Sequence, residues 1–208
     1  MRVMNSGRAR AVLAVGMLAA GGALATAAAF TDHADVRIDL DGSLNRFDIV
    51  TAGGVGLDPQ TWSPETAGWQ QGNPDAVPLG AGDDEGILIS PGGSVRAVIA
   101  VKNDSPRLNA AISLTVQDPT PRGSATDPAT GRYLELFDQL VFTVREVDGP
   151  VLLDHVAAPE LTPHVLPQVF ATGEWKKLEV TIDLPDSVDN RWQGATTDVL
   201  FSFHAVQS

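Results

Sequence analysis

Four histidines, at positions 33, 155, 164 and 204, are the first residues that could do chemistry, and their spacing argues against it. No HExxH motif is present, and no two of them stand four apart, the spacing that puts two ligands on one helical face. A zinc hydrolase is therefore disfavoured. The chain has no cysteine, which removes disulfides, thiolate zinc sites, iron-sulfur clusters and cysteine nucleophiles together. No GxSxG elbow exists, and Ser94 after Gly92-Gly93 reads as the opening of a strand. The glycine pairs beginning at 53 and 92 lack the strand-to-helix context of a phosphate-binding loop. No cofactor is implied.

Two acidic clusters offer hard oxygen ligands, Asp39 to Asp41 with Gly42, and Asp83-Asp84-Glu85 with Gly86. Setting Gly42 at the sixth position of a calcium loop puts Arg37 where the first carboxylate belongs and Asp48 where the bidentate glutamate belongs. That match fails, and the second cluster reads as a solvated acidic turn. Trp62, Trp69, Trp175 and Trp192 present aromatic faces that could stack on sugars. Their size favours core or loop anchoring, with Trp62 and Trp69 kept as a possible recognition pair.

The 208 residues suit one domain, and 43% hydrophobic with 19% charged residues is enough to build a core. With 14 basic against 26 acidic side chains the formal charge is -12, which repels phosphate backbones, so nucleic acid is excluded as a partner. Arg2, Arg8 and Arg10 precede an uncharged run over residues 11–30 that ends in small residues, the three-part order of a signal peptide. The competing reading is a retained membrane anchor. Gly21-Gly22 and the alanines favour cleavage, because small residues suit a signal peptidase and only weakly favour hydrocarbon. Ala27 and Ala29 form a small-x-small site before Phe30, so residues 1–29 are expected to be a signal and 30–208 the exported domain. Removing those three arginines from the 14 basic residues leaves 11 against 26 acidic ones, a charge of -15. Membrane contact is not expected after cleavage.

Along the exported part the signals are two-residue alternations. Val36, Ile38 and Leu40 alternate with Arg37, Asp39 and Asp41; a short run at 47–50 is stopped by Ala52-Gly53-Gly54. Residues 58–86 read as a loop too long for an ordinary connection. A strand at 87–90 and the turn Pro91-Gly92-Gly93 lead to Val95, Ala97, Ile99 and Val101. Asn103 to Pro106 is a turn, after which Ile112, Leu114 and Val116 complete a hairpin-like pair. Residues 133–137 suggest a helical turn, followed by a strand at 140–145, the turn Asp148-Gly149-Pro150 and a strand at 151–153. Prolines 159, 163 and 167 exclude a regular helix, and strands close the chain at 177–184 and 199–206. About seven to nine short strands without a long helix predict an antiparallel β-sandwich of jelly-roll type.

The segment at 21–35, GGALATAAAFTDHAD, resembles the SipW-type signal and first mature residues of the TasA/camelysin family, with Phe30-Thr31-Asp32 where that family's mature chain begins. Two further stretches agree in order. Ser90 to Arg96 followed by Val101-Lys102-Asn103 resembles the family's turn, strand and Lys/Asn turn, with Gly93 replacing the usual acidic or polar residue. Leu184-Pro185-Asp186, Asn190 to Gly194 and Phe203 to Gln207 resemble its closing segments. The resemblance implies a jelly-roll protein, SipW-dependent for export, that is displayed at the cell surface or assembled into fibres of a biofilm matrix. It also implies that the strand bearing Val36, Ile38 and Leu40 is donated to a neighbour's sheet. Some family members are labelled metalloproteases, but no metal motif here carries that activity over.

Together these observations predict a secreted, non-enzymatic surface or extracellular-matrix protein whose partners are itself, wall or matrix components, and a signal peptidase during export. A secreted hydrolase of camelysin type and a glycan-binding module using Trp62 and Trp69 are the alternatives.

Overall fold

A computed structural model describes residues 46–64, 68–73, 75–79, 86–120, 126–127 and 129–208. The expected signal, the cleavage residues Ala27, Ala29 and Phe30, the donor strand with Val36, Ile38 and Leu40, and the acidic cluster at 83–85 lie outside the described residues.

Among the described residues eight strands run antiparallel in two sheets: β1 (Ile49–Val55), β2 (Ser94–Asn103), β3 (Ala110–Gln117), β4 (Val141–Glu146), β5 (Val151–Ala157), β6 (His164–Phe170), β7 (Trp175–Asp183) and β8 (Leu200–Gln207). One sheet has the order β1-β2-β7-β4-β5 and the other β6-β3-β8. The fold is an all-β sandwich. Its core forms because the alternating residues of both sheets point at each other: Ala97, Ile99 and Val101 of β2, Leu178 and Val180 of β7, and Phe142 and Val144 of β4 meet Ile112, Leu114 and Val116 of β3 and Phe170 of β6.

The expected hairpin around Asn103 to Pro106 does not form. β2 and β3 belong to different sheets, so this turn carries the chain across the sandwich. The reason is local and polar. Asn103 is fully buried, and its side-chain amide donates to the carbonyls of Leu108 (2.8 Å) and Phe170 (3.0 Å), while its Oδ1 accepts from the Ser105 amide (3.0 Å). Ser105, also buried, donates through Oγ to the Asp48 carbonyl and accepts from the Asp48 amide. A corner so tied leaves no buried polar group unpaired. By contrast the turn at Asp148-Gly149-Pro150 does join a paired hairpin, β4 with β5.

Four smaller differences are local. Gly53 and Gly54 lie inside β1 instead of ending it, because a Cβ at Gly53 would collide with the Val98 carbonyl; glycine here permits close backbone approach. Residues 87–90 are not a strand, and the helical turn starts later than expected, as a 3-10 turn at Leu136–Gln139. Pro167 sits within β6, where the pairing with β3 shifts register between Ala111 and Ser113. Proline lacks the donor that a regular ladder needs, and a disrupted register on an edge strand is where it is tolerated.

Candidate functional site

A sandwich exposes the outer edges of its sheets, and each edge is a row of backbone donors and acceptors ready to pair with another strand. Four strands hold edge positions here: β1 and β5 in one sheet, β6 and β8 in the other. Three of them are blunted.

β1 is covered by its own chain. Thr51 and Gln70 exchange backbone hydrogen bonds (2.8 and 2.9 Å), the Val55 amide donates to the Leu79 carbonyl (3.0 Å), and Gln71 Nε2 donates to Asp48 Oδ1 (2.8 Å). β5 carries a bulge opposite β4 and the left-handed residue His155 (φ 49°), beside the exposed charge of Asp154. β6 carries Pro167 and its own bulge. β8 has none of these devices. It runs eight residues in unbroken register against β3, from Leu200 opposite Gln117 to Gln207 opposite Ala110. Its sequence, Leu-Phe-Ser-Phe-His-Ala-Val-Gln, contains no proline, glycine or charge, and among the described residues its second edge has no strand partner. Phe201, Phe203 and Ala205 pack on the core yet stay only half-buried, so the apolar interior is incompletely covered alongside β8.

The segment that caps β1 explains the length of the loop at 58–86. Val98 and Ala100 of β2, with Val50 and Ala52 of β1, are buried although they point away from the sandwich core; β2 is apolar on both faces. A strand buried on both faces needs a covering layer on each. The loop supplies the outer one. Lys177, level with Ala100, donates to the Trp62 carbonyl (3.0 Å). Trp69 lies 6.3 Å from Trp175, ring centre to ring centre and tilted by 59°, with Lys102 Nζ 5.7 Å from its ring centre. Lys102 and Trp175 are themselves register partners, so Trp69 seats on a prepared pair. The structure thus anchors the loop through the Trp69 ring and the Trp62 backbone carbonyl, and Trp192 packs against the core.

The described histidines stand apart. His155 Nδ1 is 2.9 Å from Asp154 Oδ1, and that hydrogen bond raises its pKa above the ordinary value of 6.5. His164 opens β6 opposite Leu114. His204 is on β8, its Nε2 3.4 Å from Ser202 Oγ. That Ser-His contact has no orienting carboxylate among the described residues, the third member that activates such a pair. Among the described residues no three His, Asp or Glu side chains stand together as a metal site. Two open clefts of about 370 and 320 Å3 flank Arg96; the second includes Glu179, whose carboxylate accepts from Arg145 Nε at 2.7 Å, and neither joins a nucleophile to a base.

Two of the segments that carry the family resemblance meet in space. The turn Pro91-Gly92-Gly93 pairs with Leu184, Gly92 N–H to Leu184 O (2.7 Å) and Leu184 N–H to Gly93 O (3.0 Å), and Asp186 packs against Gly92. Asn103 is the buried corner described above. The β8 edge escaped the sequence reading, which recognised its strand but not its place in a sheet; the signal available was a strand free of proline, glycine and charge. No protein-family model and no curated protein matches this chain.

Proposed function

We propose that this chain is an exported, non-enzymatic structural protein of the cell surface or extracellular matrix that joins copies of itself by β-strand addition. The strand around Val36, Ile38 and Leu40 of one copy completes the three-stranded sheet of the next along β8. The observation that carries the reading is the contrast among the four edges: three are blunted and β8 is regular, uncharged and flanked by half-covered aromatic side chains. Strand addition draws its affinity from the ladder hydrogen bonds and its register from alternate side chains. Val36, Ile38 and Leu40 supply an apolar side to lay beside Phe201 and Phe203. The signal-like first 29 residues and the resemblance to TasA/camelysin proteins support export.

The test is growth of the exported protein followed by light scattering and electron microscopy. Filaments are expected, and an excess of a free peptide spanning residues 30–41 stops their growth by occupying β8, whereas the same peptide with Val36→Asp and Ile38→Asp does not. A strict monomer at every concentration and salt, or growth indifferent to the peptide and unimpaired by deletion of 30–41, would sink the reading.

A further inference from the structure

The outer face of the three-stranded sheet is unlike the rest of this acidic molecule. Register places Val169, Ala111 and Val206 in one row across its three strands, and Val165, Ser113 and His204 in the next. Val165, Val169 and Val206 are 67%, 51% and 65% exposed. No Asp, Glu, Lys or Arg occurs in β3, β6 or β8, so this face carries no formal charge, in a chain whose net charge is -12. The outer face of the five-stranded sheet is the opposite case, bearing Lys102, Lys177, and Arg145 paired with Glu179.

We propose that this neutral valine face is a lateral contact surface whose occupant is the same face of a second copy. Charge selects the partner. Two copies of so acidic a chain repel wherever their acidic surfaces approach, and a cationic partner would be drawn to those surfaces instead of to this one. A flat, uncharged sheet is matched by another such sheet, and the chain itself supplies one; two sheets pack face to face about 10 Å apart. Size sets the behaviour. Three strands about 4.8 Å apart and seven or eight residues long present roughly 350 Å2, well under the ~800 Å2 per partner of a stable interface. Isolated copies therefore separate, whereas copies held in an array adhere, because each contact after the first becomes intramolecular. In the strand-addition reading, on which only this biological setting rests, β8 builds the filament and the valine face bundles filaments side by side.

The test uses an array that needs no filament. The protein, biotinylated through a terminal tag, is displayed densely on streptavidin beads, with excess 30–41 peptide present to occupy the strand-addition edge. Beads are expected to clump as salt rises from about 0.02 M to about 0.5 M, where repulsion is screened to a few ångströms. Beads bearing Val165→Glu/Val169→Glu stay dispersed; both substitutions lie on β6, away from β8, and point into solvent, and unchanged circular dichroism verifies the fold. Wild-type beads dispersed at all salts, or variant beads clumping equally, would overturn the proposal. Clumping only after a neutral glucan is added would assign the face to a glycan and overturn it too. Wild-type clumping without filaments in free solution would retain this contact and remove the strand-addition reading; filaments with dispersed beads would do the reverse.

Discussion

The side-chain amide of Asn103, at the end of β2, donates to the carbonyl of Phe170, at the end of β6, across 3.0 Å of buried space. This bond joins the two sheets. The same amide holds Leu108 at 2.8 Å, and the Asn103 backbone closes the other side, its N–H donating to Glu174 and its carbonyl accepting from Gly173. One residue thus satisfies the corner where the chain leaves the five-stranded sheet and the turn where it returns. Asparagine suits the position because it offers two donors and an acceptor without charge.

Asn103→Ala leaves the Leu108 and Phe170 carbonyls and the Ser105 amide without this partner. A loss of about 3 kcal/mol is expected in urea unfolding, from several buried groups each worth roughly 1–3 kcal/mol when orphaned. Asn103→Asp should lose more, because a carboxylate would face two carbonyl oxygens. Equal stability of wild type and Asn103→Ala would show that the corner is held otherwise.

Trp69→Ala removes the contact with Trp175 and Lys102 while leaving the sandwich core intact. The covering layer should loosen, so that limited proteolysis cuts first within residues 57–79, and global stability falls by about 2–4 kcal/mol. Lys102→Met, which keeps most of the stem and removes the charge, should cost only about 0.5–1 kcal/mol. Tryptophan emission reports the change; a protease pattern unaltered by Trp69→Ala would contradict the anchoring role.

Gly92 has φ 77°, and a Cβ there would overlap the Asp186 carboxylate. Gly92→Ala should cost at least about 1–2 kcal/mol for the left-handed backbone, plus the displacement of Asp186. The double variant Gly92→Ala/Asp186→Ala should recover the steric part only. Full recovery would mean that backbone conformation contributes nothing.

His155 titrates above its ordinary value because its imidazolium is hydrogen-bonded to Asp154. A pKa raised on folding adds stability that is complete below the unfolded value of 6.5 and is lost as pH rises through the folded pKa. Because both side chains are exposed, the effect on stability is small and salt-sensitive. Proton NMR should show the His155 pKa falling in Asp154→Asn, and an unchanged titration would dismiss the pairing.

Local pattern alone determined that this is an all-β sandwich. The period-two alternation of Ile112, Leu114 and Val116, or of Leu178, Val180 and Ile182, needs no partner to be legible, since it states which side of a strand is apolar. The turn at Asp148-Gly149-Pro150 and the absence of cysteine, HExxH and GxSxG were equally plain.

Tertiary structure decided which strands meet. Asn103 to Pro106 looks like a hairpin turn because it lies between two alternating runs, and only the buried acceptors at Leu108 and Phe170 make it a crossing between sheets. Val98 and Ala100 form a second buried face of β2, and the layer that covers it comes from a proline-rich stretch with no periodicity of its own. The candidate site was hidden for the same reason. Whether a strand is an edge depends on its neighbours, so the unblunted ladder of β8 and the uncharged valine face exist only once Ala111 is seen between Val169 and Val206.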